Sequence, residues 1–217
     1  MTFFERNRED LVRRGYAPER LPPGQYHTDR FPVLHEGEVP VYDMTTWDFR
    51  VFGAVREERR FGWDELRALG AVDVVCDVHC VTKWSKFDTR WSGVRFRDVL
   101  ALVEPDPAAD TVIAHAEGGY TANLPLAVLL DDDVLLAWGY DDAPLEPDHG
   151  GPLRLLVPKR YLWKSAKWLR GLELRVGDAP GYWERLGYHN DADPFQEQRY
   201  WAAGPPASAE EAGSEGG

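Results

Sequence analysis

No apolar stretch in this chain is longer than a β-strand, and that limit constrains the fold more than any other feature. Val72 to Val81 reads as a near-continuous strand running to Cys80. Trp47 to Gly53 alternates apolar and polar residues, the mark of a half-buried strand. Thr111–Ala114, Tyr120–Leu124 after the Gly118-Gly119 turn, Leu153–Val157 and Leu172–Val176 read as further strands. Helical spacing is brief. Thr2-Phe3-Phe4-Glu5 is a capping box that starts a helix running to about Arg14, where Gly15 can end it. Trp63–Leu69 closes at Gly70, and Phe96–Val103 turns Val99, Leu100 and Val103 inward. Tyr161–Lys167 holds a helical turn, and Gly181–Leu186 is a short helix at most. Trp91-Ser92-Gly93-Val94 reads as a turn, and Asp131-Asp132-Asp133 as a solvated turn opening the element at Val134–Trp138. The sum is an α+β fold of strand-rich mixed sheets with short helices, not a doubly wound nucleotide fold. No GxGxxG opens a helix and no Walker loop occurs, which argues against nicotinamide and nucleoside triphosphate chemistry.

The 217 residues suffice for one substantial core or two small domains, with no composition break that forces a division, and 43% hydrophobic with 29% charged residues describes a soluble globular chain. Residues 1–29 read as an N-terminal helix with a rigid connector at Leu21–Gln25, residues 30–201 as the main domain, and residues 202–217 as a disordered acidic tail. Apolar runs fall far short of the roughly 20 residues that span a bilayer. The N-terminus has no secretory pattern, and the Arg13-Arg14 pair is not followed by an apolar segment, so the expected location is the cytoplasm. A net charge of −12 argues against nucleic-acid and anionic-membrane partners.

That charge is uneven. Gly151–Val176 carries seven cations against Glu173, and Cys80–Arg97 carries five against Asp88. Two locally basic segments in an acidic chain are read either as an internal anion site or as solvated faces. The second basic segment opens on Cys80, in DVHCVTKWS. A strand cysteine is most often inert core, but a position at the strand's end beside Lys83 and Lys86 favours a thiolate, the form that attacks and that binds soft metals. The only other cysteine, Cys76, shares its strand face; four residues of strand set the two roughly 13 Å apart, too far to bridge. No cysteine and histidine spacing suggests a structural metal. His149-Gly150-Gly151-Pro152-Leu153-Arg154 combines close backbone approach with two donors, and Ser165-Ala166-Lys167 has the inventory of a phosphate cradle.

CVTKWS with the following WSGV, then GGYTANLPL, HGGPLRLLVP and WKSAKWLRGLEL, resemble in this order the molybdopterin-binding domain of the sulfite oxidase superfamily. The likeness spans Arg30 to Trp201 and is nearest to the small cytosolic bacterial members. It implies that fold, a molybdenum-molybdopterin cofactor, and oxygen-atom transfer of the sulfite-oxidase or sulfoxide-reductase kind. It further implies Cys80 as the metal's thiolate ligand, His149 and Arg154 on the pterin, and Ser165, Ala166 and Lys167 on the phosphate. Phe31 to His35 would lie over the pterin, although the family has an asparagine where His35 stands, and a further cofactor contact falls near Glu117. Tyr120 is a candidate proton donor, and Lys83, Lys86 and Arg90 candidates for an anionic substrate pocket. The expected partners are a small-molecule oxo donor or acceptor and an electron-transfer partner. No haem-binding extension or immunoglobulin-like domain is read here, so neither sulfite nor methionine sulfoxide carries over as substrate. The competing readings are a thiol redox protein using Cys80 and Cys76, and a non-catalytic anion-binding domain.

Overall fold

The computed structural model describes residues 2–201, so the acidic tail lies outside the described residues. In chain order the strands are β1 (Tyr26–His27), β2 (Asp48–Gly53), β3 (Arg59–Gly62), β4 (Val72–His79), β5 (Trp84–Arg95) and β6 (Thr111–Ala116). They continue as β7 (Thr121–Pro125), β8 (Leu135–Tyr140), β9 (Ala143–Pro144), β10 (Arg154–Leu156) and β11 (Leu169–Arg175). The helices are α1 (Phe3–Arg13), α2 (Trp63–Ala68), α3 (Phe96–Leu100), α4 (Leu126–Leu129) and α5 (Tyr182–Arg185). Among the described residues no helix is long and apolar enough to cross a membrane.

Two mixed sheets form. One runs β1-β5-β8-β10, with β4 on β5 and β9 on β8; the other runs β3-β2-β11-β6-β7. The main core lies between them, joining Phe49, Val51, Val112, Leu172 and Leu174 from one sheet to Val94, Leu136 and Leu155 from the other. A second cluster covers the other face of the first sheet with Val78, Cys80, Trp84, Trp91, Leu135, Ala137 and Leu156. Strand alternation divides these sets. In Leu153–Val157 the odd residues enter the central core, so Arg154 and Leu156 face the second cluster. Val72, Val74, Cys76 and Val78 of β4, with Cys80 just past its end, all join the second cluster, although the pairing with β5 shifts between Cys76 and Val78.

Helix α1 has the expected capping box: Thr2 Oγ1 accepts from the Glu5 amide, and Glu5 Oε2 accepts from the Thr2 amide. The segment from Trp91 to Val94 is not a turn but the C-terminal part of the twelve-residue β5. Gly93 explains both the turn-like sequence and the strand. A Cβ there would sit 2.2 Å from the Leu136 carbonyl oxygen, so only glycine lets β5 approach β8 at the register shift after Ser92. Strands β1 and β3 carry too few residues for periodicity to reveal them.

Candidate active site

Cys80 lies one residue past β4, at the start of the hairpin loop that leads into β5. The loop closes through Cys80 N donating to Trp84 O at 2.8 Å and Lys83 N donating to Cys80 O at 3.0 Å. Lys83 takes φ +78, the left-handed position such a loop needs at its end. Distant residues clamp the same loop. Gln25 Nε2 donates to Cys80 O at 3.1 Å, and Arg199 Nη1 donates to Val81 O at 2.7 Å.

The thiol opens onto a cavity of about 320 Å³. Its walls bring together Phe31, His35, Cys80, Tyr120, His149, Arg154, Ser165, Ala166 and Lys167, from five separate parts of the chain. Arg154 is 2% exposed; Nη1 donates to His149 O and Nη2 to Ser165 O, while Nε has no protein partner. Burial lowers its pKa to about 10. The His149 ring stacks on Phe31 with centroids 4.1 Å apart, and its buried Nδ1 is unpartnered. Burial, then the nearby Lys167 and Arg154 charges, lower the His149 pKa. Gly150, at φ +105, ends the turn beneath this ring, and a Cβ there would press on the Lys167 side chain at 2.9 Å. Lys167 Nζ donates to Asp148 O at 2.6 Å, and burial, followed by Arg154, lowers its pKa to about 7. Ser165 Oγ accepts from the Val157 amide at 2.9 Å, which leaves its own proton free to donate.

Burial raises the Cys80 pKa, against hydrogen bonds from the Thr82 hydroxyl and backbone amide and the charges of Arg199 and Lys167. The cations acting on the thiol are therefore not the two that follow it in sequence. Lys83 lies outside the cavity with Nζ 5.9 Å from the Phe4 ring, Lys86 donates to Asp29 O, and Arg90 pairs with Asp142. Lys83 stands in the loop before β5, Lys86 and Arg90 lie along the strand, and each has a partner away from the cavity, so proximity in sequence misplaced them. Glu117 is also elsewhere: it pairs with Arg170 at 2.8 Å and lines a second cavity with Tyr42 and Trp47. Of the seven Gly151–Val176 cations, Lys159, Lys164, Arg170 and Arg175 pair with Asp131, Glu184, Asp48 and Glu173, Arg160 donates to Lys159 O, and Arg154 and Lys167 line the cavity.

Tyr120 lines the cavity, but its hydroxyl donates to the Trp163 carbonyl, and burial pushes its pKa well above the usual value. Both cysteines are free. Burial raises the Cys76 thiol to about 12, so that residue is a poor source of thiolate and the paired-thiol reading loses support. Thr82, Trp163, Trp168, Trp183 and Tyr188 also line it and were missed from sequence, the aromatic ones because such residues read as packing. Tyr188 lies near enough for the Cys80 sulfur's charge to raise its pKa, after burial and Tyr200. Among the described residues no three His, Cys, Asp or Glu side chains gather to hold a metal ion by themselves.

Residues 36–183 match the family described as the oxidoreductase molybdopterin binding domain. The oxidoreductase YuiH of Bacillus subtilis is 46% identical over 83% of this chain and 92% of its own length. Mitochondrial sulfite oxidase of Drosophila melanogaster is 27% identical over 82% of this chain, which spans only 34% of that protein. Among solved structures, the sulfane dehydrogenase SoxCD of Paracoccus pantotrophus shares the fold with a TM-score of 0.63 at 18% identity, over 77% of this chain and 48% of that one. The strand-rich α+β architecture and the resemblance read from CVTKWS and HGGPLRLLVP thus hold. The chain belongs to the oxidoreductase molybdopterin-binding domain family, as an oxidoreductase whose cofactor is molybdenum-molybdopterin.

Proposed function

We propose that the cavity beside Cys80 is where an oxygen atom passes to or from a small molecule, with Cys80 as the protein's ligand to molybdenum. One observation carries this reading: the thiol shares its cavity with two buried, unpartnered polar atoms, His149 Nδ1 and Arg154 Nε, and with the cation Lys167. A molybdopterin brings its own sulfurs for the metal and lacks only a further soft ligand, partners for pterin heteroatoms, and a counter-charge for its phosphate. The residues present fit that group.

When bound, the group supplies a metal that cycles between two oxidation levels while oxygen moves. The chain's part is to hold and orient. Cys80 supplies the thiolate from a loop braced by Gln25 and Arg199. His149 and Arg154 take the pterin, and Phe31, stacked on His149, keeps that imidazole in place. Ser165, Ala166 and Lys167 take the phosphate, whose charge would return the Lys167 pKa toward its ordinary range. His35, set edge-on to Trp168 at 5.3 Å, and Leu34 form the outer wall. Tyr120 is a wall residue whose hydroxyl is engaged; Tyr188 has the better position for proton handling near the sulfur. Oxo-transfer moves two electrons, so a separate electron-transfer partner completes the cycle.

Elemental analysis tests the reading. Protein made in a host that synthesises the cofactor should carry molybdenum, Cys80→Ser should lose it, and Arg154→Ala should lower the cofactor content. Wild-type protein free of molybdenum would end the proposal, and full cofactor in Arg154→Ala would show the pterin contacts to be misplaced.

A further inference from the structure

The hairpin loop holds one contact that cofactor retention does not explain. Thr82 Oγ1 donates to Cys80 Sγ at 3.1 Å. Thr82 is on the cavity wall, and its hydroxyl reaches back two residues to the sulfur because the loop is pinned at Cys80 O by Gln25 and at Val81 O by Arg199. The chain's other cysteine provides a contrast. Thr89 lies 3.7 Å from Cys76 Sγ but donates its proton to the Cys76 carbonyl at 2.6 Å. A threonine beside a cysteine in this fold thus has a backbone alternative, and the loop geometry directs only Thr82 at sulfur.

A hydrogen bond to a thiolate draws electron density away from the metal it ligates, which favours the reduced metal and raises its reduction potential. Bonds to charged acceptors are also the stronger ones, and filling of the cavity removes the water that would compete for this hydroxyl. We propose that Thr82 is a positioning residue that sets the reduction potential of the molybdenum through the Cys80 sulfur. The proposal rests on Cys80 as the metal ligand and goes beyond it. It assigns to this chain's own loop a control over electron delivery that is separate from substrate binding.

The test uses cofactor-loaded protein and compares Thr82→Val, of the same shape without a donor, with Thr82→Ser, which keeps the donor. Redox titration followed by the metal's paramagnetic signal gives the potential, and absorption gives the sulfur-to-metal charge-transfer band. Thr82→Val should keep its molybdenum, shift the reduced-to-oxidised ratio at fixed potential by three- to tenfold toward the oxidised form, about 28–59 mV downward for one electron, and move the band to longer wavelength. Thr82→Ser should stay within twofold of wild type on both readouts. An unchanged potential in loaded Thr82→Val overturns the proposal, as does an equal shift in both variants, which would assign the effect to packing. Should Thr82→Val not load, Thr82→Ala replaces it; failure of both beside a loaded Thr82→Ser would assign the hydroxyl to metal capture and equally overturn it. Wild-type protein without molybdenum would instead strike the reading of Cys80 itself.

Discussion

The sharpest stability prediction concerns the ion pair behind the cavity wall. Lys164 and Glu184 are each 1% exposed and meet at 2.7 Å. Lys164 Nζ also donates to Asn123 O at 2.7 Å and Oδ1 at 3.0 Å. Glu184 Oε1 accepts from Trp163 Nε1 at 2.8 Å, while Oε2 has no partner. Glu184→Gln preserves shape and leaves an oxygen for Trp163, so the wall stays in place while the ammonium loses its counter-charge. Removing one member of a buried pair costs about 3–5 kcal/mol, because the remaining charge stays desolvated. For a chain of this size each kcal/mol corresponds to roughly 2–4 °C, so the melting temperature should fall by about 6–20 °C. Burial already lowers the Lys164 pKa and Glu184 opposes it; without the carboxylate the folded-state pKa drops further below the unfolded 10.5. A base lowered by folding destabilises the fold while it is protonated, so the deficit should be largest below the lowered folded-state pKa and shrink as pH rises from there toward 10.5. Denaturant titrations of both proteins at neutral and alkaline pH measure this. A loss below about 1 kcal/mol, or a deficit that grows with pH, would refute the account of Lys164 as a charge held in place by Glu184.

Three further outcomes are expected. Burial lowers the His79 pKa to about 4, with Nδ1 at 2.8 Å from Ser85 Oγ. Above pH 6.5 both folded and unfolded forms are neutral; as pH falls from there to 4 the unfolded chain takes up the proton first, so stability should drop by up to about 3 kcal/mol, and His79→Asn should flatten that slope in chemical denaturation. Gly93→Ala should cost about 2–3 kcal/mol by thermal melting, since its methyl meets the Leu136 carbonyl. Cys76→Ala should keep full molybdenum content and lose no more than about 1.5 kcal/mol, whereas a loss of metal would bring back a paired-thiol chemistry.

What was readable in the sequence is what depends on neighbours along the chain. The capping box of α1, the alternation in β2, the run from Cys76 to Cys80 that sets both on one cluster, and the Gly/Pro loop before Arg154 follow from local sterics and period-two geometry. That same alternation turned Arg154 toward the site while Leu153 and Leu155 entered the core. Charge runs were not readable in this way. Lys83 and Lys86 adjoin the thiol in sequence yet point elsewhere, while Arg199, 118 positions after Val81, reaches that residue's carbonyl. Glu117 has site-like neighbours in sequence but pairs with Arg170 around another cavity. Gly93 looked like a turn because its purpose, room for the Leu136 carbonyl, belongs to a strand more than forty residues away. The hairpin of CVTKW supplied a thiol; only the packed fold decided which cations, aromatic walls and hydroxyl surround it, because those contacts are made across sheets and loops whose approach no local pattern encodes.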